Sequence, residues 1–160
     1  MSEPNWREAT RGLVLDEHDR LLMVKYVFPS GDERWGTPGG GLDPGEDHHT
    51  ALRREFHEEL SLVDVEIGPH VWSRSHLFPM LSGHDGQRER FFLVRVAHFD
   101  PVPSIGWEQM RAEFVHDVRW WTIDEIDASL EHFIPGRLTT HLRALLADGP
   151  PATPIDISDP

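Results

Sequence analysis

One segment constrains this 160-residue chain more than any other: Gly40 to Leu62, which reads GGLDPGEDHHTALRREFHEELSL. The run Pro38 to Gly45 carries so much Gly and Pro that it is predicted to be irregular. From Glu46 to Leu60 there is no Gly or Pro, which predicts a helix. Glu46 and Asp47 suit its positive N-terminal end. At ~3.6 residues per turn, Glu55 and Glu59 lie one above the other with Glu58 beside them, so three carboxylates share about a third of the circumference. Leu52, Phe56 and Leu60 form the neighbouring apolar stripe. Like charges three and four residues apart destabilise a helix by a few tenths of a kcal/mol each, and close carboxylates raise one another's pKa. A hard divalent cation with oxygen ligands relieves both penalties, and magnesium also leaves room for phosphate oxygens. The ordinary alternative is a solvated acidic face with Arg53 and Arg54 pairing with nearby acids. The spacing of the whole segment separates the two readings.

The surrounding pattern predicts an α/β domain. Thr10–Leu15 and Leu21–Val27 are β-rich runs around the polar Asp16–Arg20, a hairpin signal. Further strands are predicted at Val63–Ile67, Val71–Ser75, Phe91–Phe99 and Val118–Trp121, with loops at Pro29–Arg34, Pro79–Glu89 and Pro101–Gly106. Thr122-Ile-Asp-Glu125 is a capping-box pattern opening a helix. Leu138, Leu142, Leu145 and Leu146 give Arg137–Ala147 helical spacing. Such a mixture of elements implies an α/β/α sandwich. The expectation is one domain over residues 1–160, with 1–9 and 150–160 as peripheral tails.

Charge narrows the function. With 28 Asp+Glu against 15 Lys+Arg the net charge is −13, a field that repels polyanions. No nucleic acid polymer is therefore expected as a partner, and any phosphate substrate needs a cation as a bridge. The absence of cysteine excludes disulfides, thiolate zinc sites and Cys nucleophiles. No signal peptide or apolar span is evident, so a cytoplasmic protein with no membrane association is expected. Nothing in the sequence sets the number of copies; a homodimer is compatible with it.

The segment resembles the Nudix box of the Nudix hydrolase family. Gly40, Glu46, Arg54-Glu55, Phe56, Glu58-Glu59 and Leu62 stand at its defining positions; Ser61 stands where the family has Gly. Trp35 to Gly40 and Arg119 to Glu125 resemble the flanking regions, and the likeness spans most of residues 10–148. The resemblance implies a Nudix-like α/β/α sandwich with a mixed sheet, and an enzyme that hydrolyses a diphosphate bond. Its substrate would be a nucleoside diphosphate linked to another group, or a nucleoside triphosphate. It implies that Mg²⁺ or Mn²⁺ is held by Glu55, Glu59 and the Gly40 carbonyl, with Glu58 a further ligand or the group that orients a metal-bound water. Arg54 and Glu46 would pair and lock the turn. Many members use a distant Glu as base, for which Glu108 is the first candidate and Glu113 the second. Ser61 is expected to cost ~1 kcal/mol if it takes the left-handed conformation of a C-terminal Gly.

Other residues are read more conservatively. Trp35 and Trp72 are expected in the core rather than stacked on a base. Arg74, Arg88 and Arg90 are read as solvent-facing strand charge rather than phosphate ligands, and His48, His49 and His57 as surface. After the box, Ser73, Phe78 and Pro79 agree with an NADH-hydrolysing subset, too little to assign that substrate. Two other functions compete: a Nudix-like module that senses a nucleotide without cleaving it, and an isopentenyl diphosphate isomerase. The intact glutamates argue against the first. The second resembles an enzyme that uses a Cys, which this chain lacks.

Overall fold

A computed structural model describes residues 2–159. The strands are β1 (Trp6–Leu15), β2 (Leu21–Val27), β3 (Glu33–Gly36), β4 (Gly39–Gly41), β5 (His70–Leu77), β6 (Gly86–Arg95), β7 (Val115–Trp121) and β8 (Ile155–Asp156). The helices are α1 (His48–Leu60), α2 (Gly106–Ala112), α3 (Ile123–Ala128) and α4 (Leu138–Asp148). One mixed sheet runs β3-β2-β1-β6-β5-β8, with β4 added to β1 and β7 to β2. Side-chain alternation in β1 supplies a core on each face. Leu13 and Leu15 pack with Trp35, Trp72, Phe91, Trp121 and the apolar stripe Leu138, Leu142 and Leu145 of α4. Val14 packs on the other face with Leu52, Phe56 and Leu60 of α1. The layers are helix, sheet, helix, as the sequence predicts, and Trp35 and Trp72 are core. No helix among the described residues is long and apolar enough to cross a membrane.

Several local expectations give way to tertiary pairing. β1 starts at Trp6, inside the segment read as a lead-in, and pairs in parallel with β6 over its whole length. The predicted hairpin survives only at its turn, where Leu15 meets Leu21. The glycine run is not wholly irregular either: Gly39–Gly41 pair antiparallel with Ala9–Arg11. Val63–Ile67 is not a strand; Asp64 has a positive φ, and Arg53 Nη1 donates to the Val65 carbonyl (2.7 Å). Gly86–Glu89, read as loop, opens β6, and α2 was not foreseen. At the C-terminal end, Ile155–Asp156 pair with β5 and Ile157 is buried.

The ends of α1 follow local chemistry. Asp47 is the N-cap, accepting from the Thr50 N–H (2.7 Å). Ser61 does take the left-handed conformation (φ 53°, ψ 30°), and its hydroxyl donates to the Val102 carbonyl. That hydrogen bond offsets the backbone strain. Ser61→Gly is therefore expected to be nearly neutral, within about 0.5 kcal/mol, because relief of ~1 kcal/mol of strain cancels a lost hydrogen bond. Ser61→Ala keeps the strain, loses the bond, and should cost about 1 kcal/mol in a urea titration.

Candidate active site

The site forms where the sheet splits. β1 parts from β2 beyond the Leu15–Leu21 pair, and the glycines of β4 lie against β1, with Thr10 opposite Gly40 and Arg11 opposite Gly39. Only glycine fits here. A Cβ on Gly39 would lie 2.0 Å from the Thr10 carbonyl oxygen, and the residue has φ +142°. A Cβ on Gly40 would lie 2.6 Å from Glu55 Oε1. The missing side chains thus leave a cradle into which the acidic edge of α1 reaches.

Glu59 is buried, 3% exposed, and accepts from the Gly39 N–H (3.1 Å). It also shares a hydrogen bond with Glu55. Burial, and then the charge of Glu55, push its carboxyl well above the usual range; Arg11 and the Gly39 N–H oppose this only in part. Two carboxylates held this close repel each other, and a cation between them would relieve that repulsion.

Arg54 locks the turn to the helix. Its Nε and Nη2 bind the two oxygens of Glu46 (2.9 and 2.8 Å), Nη2 also reaches the Gly41 carbonyl (3.1 Å), and Nη1 binds Glu55 Oε1 (3.0 Å). Glu46 closes the turn by accepting from the Asp43 N–H (2.7 Å). The Arg54–Glu46 pair foreseen from the sequence is therefore present. Glu58 is turned toward Arg54, 3.7 Å from Nη1, and burial followed by the nearby Glu55 raises its pKa. Among the described residues no three His, Asp or Glu side chains converge as a ready-made metal cage; the close pair is Glu55 and Glu59. Glu108 and Glu113 sit at opposite ends of α2, both exposed. The field of Glu113 reaches Glu58. The start of α2 is tied to the end of α1 by Ser104 Oγ donating to the His57 carbonyl (2.7 Å).

The sequence reading missed a charged cluster on the far side of the split. Arg11, at the centre of β1, binds Glu89 Oε2 through Nε (2.7 Å), the Tyr26 hydroxyl (3.1 Å) and, at 3.4 Å, the Thr37 carbonyl. Burial opposes its charge, but Tyr26 and Glu89 outweigh burial and raise its pKa. Arg74 Nη1 binds the other oxygen of Glu89 (2.7 Å). Arg74 is thus not solvent-facing as read from the sequence; it is turned to the same sheet face as Arg11, whereas Arg88 and Arg90 are exposed on the opposite one. The signal was there: Arg7, Ala9, Arg11, Leu13 and Leu15 alternate onto one face, so two arginines continue a core-facing row. Of the three histidines, His49 and His57 are exposed and His48 is half-buried.

Comparison with known proteins places these features. The family model described as "NUDIX domain" matches residues 5–142. An RNA pyrophosphohydrolase of Campylobacter jejuni subsp. doylei is 32% identical over 140 residues, covering 82% of this chain and 87% of that protein. The nucleoside triphosphatase NudI of Escherichia coli is 33% identical over 132 residues, 79% and 86% of the two chains. Among solved structures, the MutT protein from Methanosarcina mazei Go1 superposes with a TM-score of 0.67 at 16% identity, covering 92% of this chain and 98% of that one.

Proposed function

This chain belongs to the Nudix hydrolase family, and from that premise we propose that its substrate is a nucleoside triphosphate, cleaved at a phosphoric anhydride bond with Mg²⁺ as the cofactor. The observation that carries the reading is the Glu55–Glu59 pair held against the Gly39–Gly41 backbone. The relatives named for pyrophosphate and triphosphate chemistry support the substrate class.

The residues suit a divalent cation. Two carboxylates meet where a Cβ is absent, and burial with the charge of Glu55 raises the Glu59 carboxyl, a cost that a bound cation would offset. Glu55, Glu59 and the Gly40 carbonyl would hold the ion. When bound, Mg²⁺ neutralises charge on the phosphoryl oxygens and makes bound water a better nucleophile. Arg54, through Glu46 and the Gly41 carbonyl, holds the turn in register with the helix. Glu58 receives or directs the proton of the attacking water, its pKa raised by burial and by Glu55. Of the distant carboxylates, we favour Glu113 over Glu108 as the partner of Glu58, because the charge of Glu113 is felt there.

The test is phosphate or pyrophosphate release from nucleoside triphosphates. Release is expected with millimolar Mg²⁺, abolished by EDTA and restored by excess metal. Nucleotide binding with no bond broken under any of these conditions would replace the enzyme by a sensor.

A further inference from the structure

We propose that Arg7 binds the phosphate chain of the substrate, pairing with non-bridging phosphate oxygens beside the acid pair. This rests on the nucleotide reading above and adds the group that grips the chain. Arg7 stands on β1 and alternates onto the same face as Arg11. Its guanidinium lies against Gly41, where a Cβ would stand 2.6 Å from Cζ and 2.9 Å from Nε. The same Gly41 gives its carbonyl to Arg54, and the charge of Glu55 is felt at Arg7. Arg7 therefore adjoins the turn against which the cation would be held.

What sets Arg7 apart is a missing counter-charge. Among the described residues, every other half-buried arginine or lysine pairs with a carboxylate: Arg11, Arg20, Lys25, Arg34, Arg54 and Arg74. Arg7 is half-buried too, yet its Nη1 donates only to the neutral amide oxygen of Gln87 on β6. The nearby acids are already engaged. Glu89 has one oxygen on Arg11 and the other on Arg74, and Glu55 is bound by Arg54. Burial, and next the charge of Arg11, lower the Arg7 pKa against the weaker pull of Glu55. An anion from outside would supply the charge that the fold withholds.

The chemistry selects phosphate. With a net charge of −13, this chain repels an anion wherever fixed positive charge or a bound cation does not meet it. A guanidinium presents its donors in a planar fork that matches two oxygens of one phosphate group. Gly41 covers one face of that fork, and the buried Gln87 takes one donor and fixes its orientation. The rest of its edge is left for ligand. A triphosphate reaching from a cation at Glu55 and Glu59 to Arg7 would be held at two points. The cation, not Arg7, meets the bond that breaks, so the grip of Arg7 is alike before and during the reaction. Phosphates are common to all nucleotides, and Arg7 therefore carries no base preference.

The experiment measures kcat and KM for ATP and GTP with Mg²⁺ in the parent, Arg7→Met and Arg7→Lys. Alongside, calorimetry with Mg²⁺ follows binding of an ATP analogue whose bridging oxygens are replaced by methylene groups. Arg7→Met is expected to raise KM by about tenfold to a hundredfold, equally for ATP and GTP, to weaken the analogue by as much, and to keep kcat within about threefold. Arg7→Lys keeps the charge but not the fork, so it should fall between the parent and Arg7→Met. It reports even if Arg7→Met fails to fold. Analogue affinity within about twofold of the parent's in either folded variant would overturn the phosphate site and leave the hydrolase standing. A fall in kcat with KM and analogue affinity unchanged would make Arg7 a structural group and do the same. Analogue binding that the variants weaken, with no triphosphate cleaved by the parent, would keep the phosphate site and overturn the hydrolase. Neither binding nor cleavage by the parent would overturn both.

Discussion

Glu59→Gln is expected to stabilise the metal-free protein at pH 8 while lowering turnover by on the order of a hundredfold or more. The two effects share one cause. Burial and the charge of Glu55 raise the Glu59 carboxyl well above its ordinary value. A group whose folded pKa is raised binds more proton folded than unfolded, so stability falls as pH rises. The penalty is absent below the ordinary value of 4.5 and grows from there toward the folded pKa. Glutamine has no charge to lose. Its oxygen can still accept from the Gly39 N–H, and its amide can donate to Glu55. Glu58, raised by burial and by Glu55, runs the same way; Asp16, where hydrogen bonds outweigh burial, and Glu46 are held at about 2, and burial lowers His48, His70, His76 and His141, all of which run the opposite way. These contribute alike to both proteins, so the difference between parent and variant isolates Glu59. Thermal melts in EDTA should show that difference growing from pH 5 to pH 8. Added Mg²⁺ should raise the parent's melting temperature and leave the variant's nearly unmoved, since a ligand stabilises only the state that binds it. A variant less stable than the parent at pH 8, or one with near-parental turnover, would remove Glu59 from the metal site.

The second large effect concerns stability. Arg11→Met should cost about 3–5 kcal/mol, because it leaves a buried carboxylate with half its partners. The side chains of Arg11 and Glu89 are only 13% and 7% exposed. Three groups depend on the Arg11 guanidinium: Glu89, the Tyr26 hydroxyl and the Thr37 carbonyl. Methionine fills a similar volume and bonds to none of them. Glu89 would keep only Arg74, whose side chain is 11% exposed. The double variant Arg11→Met/Glu89→Met removes charge and counter-charge together. It should lie closer to the parent than the single variant, the expected sign of coupling between partners in contact. Urea denaturation of the three proteins tests this, and a loss under about 1 kcal/mol in Arg11→Met would show that the network contributes little.

How much of this was legible in advance divides along a physical line. Helical geometry is local, so the placing of Glu55, Glu58 and Glu59 on one edge of α1 follows from their spacing alone. The same holds for the Thr122–Glu125 capping box, made within one turn; the sequence left the conformation of Ser61 open, and its left-handed turn is offset by a bond to the distant Val102 carbonyl. Alternation in β1 likewise told which residues share a face. It could not tell what lies across from them. Arg11 and Glu89 are 78 residues apart, and a strand's partner is chosen by burial of both faces and by the turns around it. Hence β1 runs beside β6 over its whole length and meets β2 only at Leu15–Leu21, Gly39–Gly41 becomes a strand, and Arg74 meets Arg11 through Glu89. Local rules also leave a side chain's partner open: Glu58 shares an edge with Glu55, yet it turns to Arg54. The amino-acid order by itself determined the acidic edge and the bend before it, because both are made within a few turns of chain. Tertiary structure alone decided the buried cluster of Arg11, Tyr26, Glu89 and Arg74, because its members come from β1, β2, β6 and β5, which meet only when the sheet closes around its two cores.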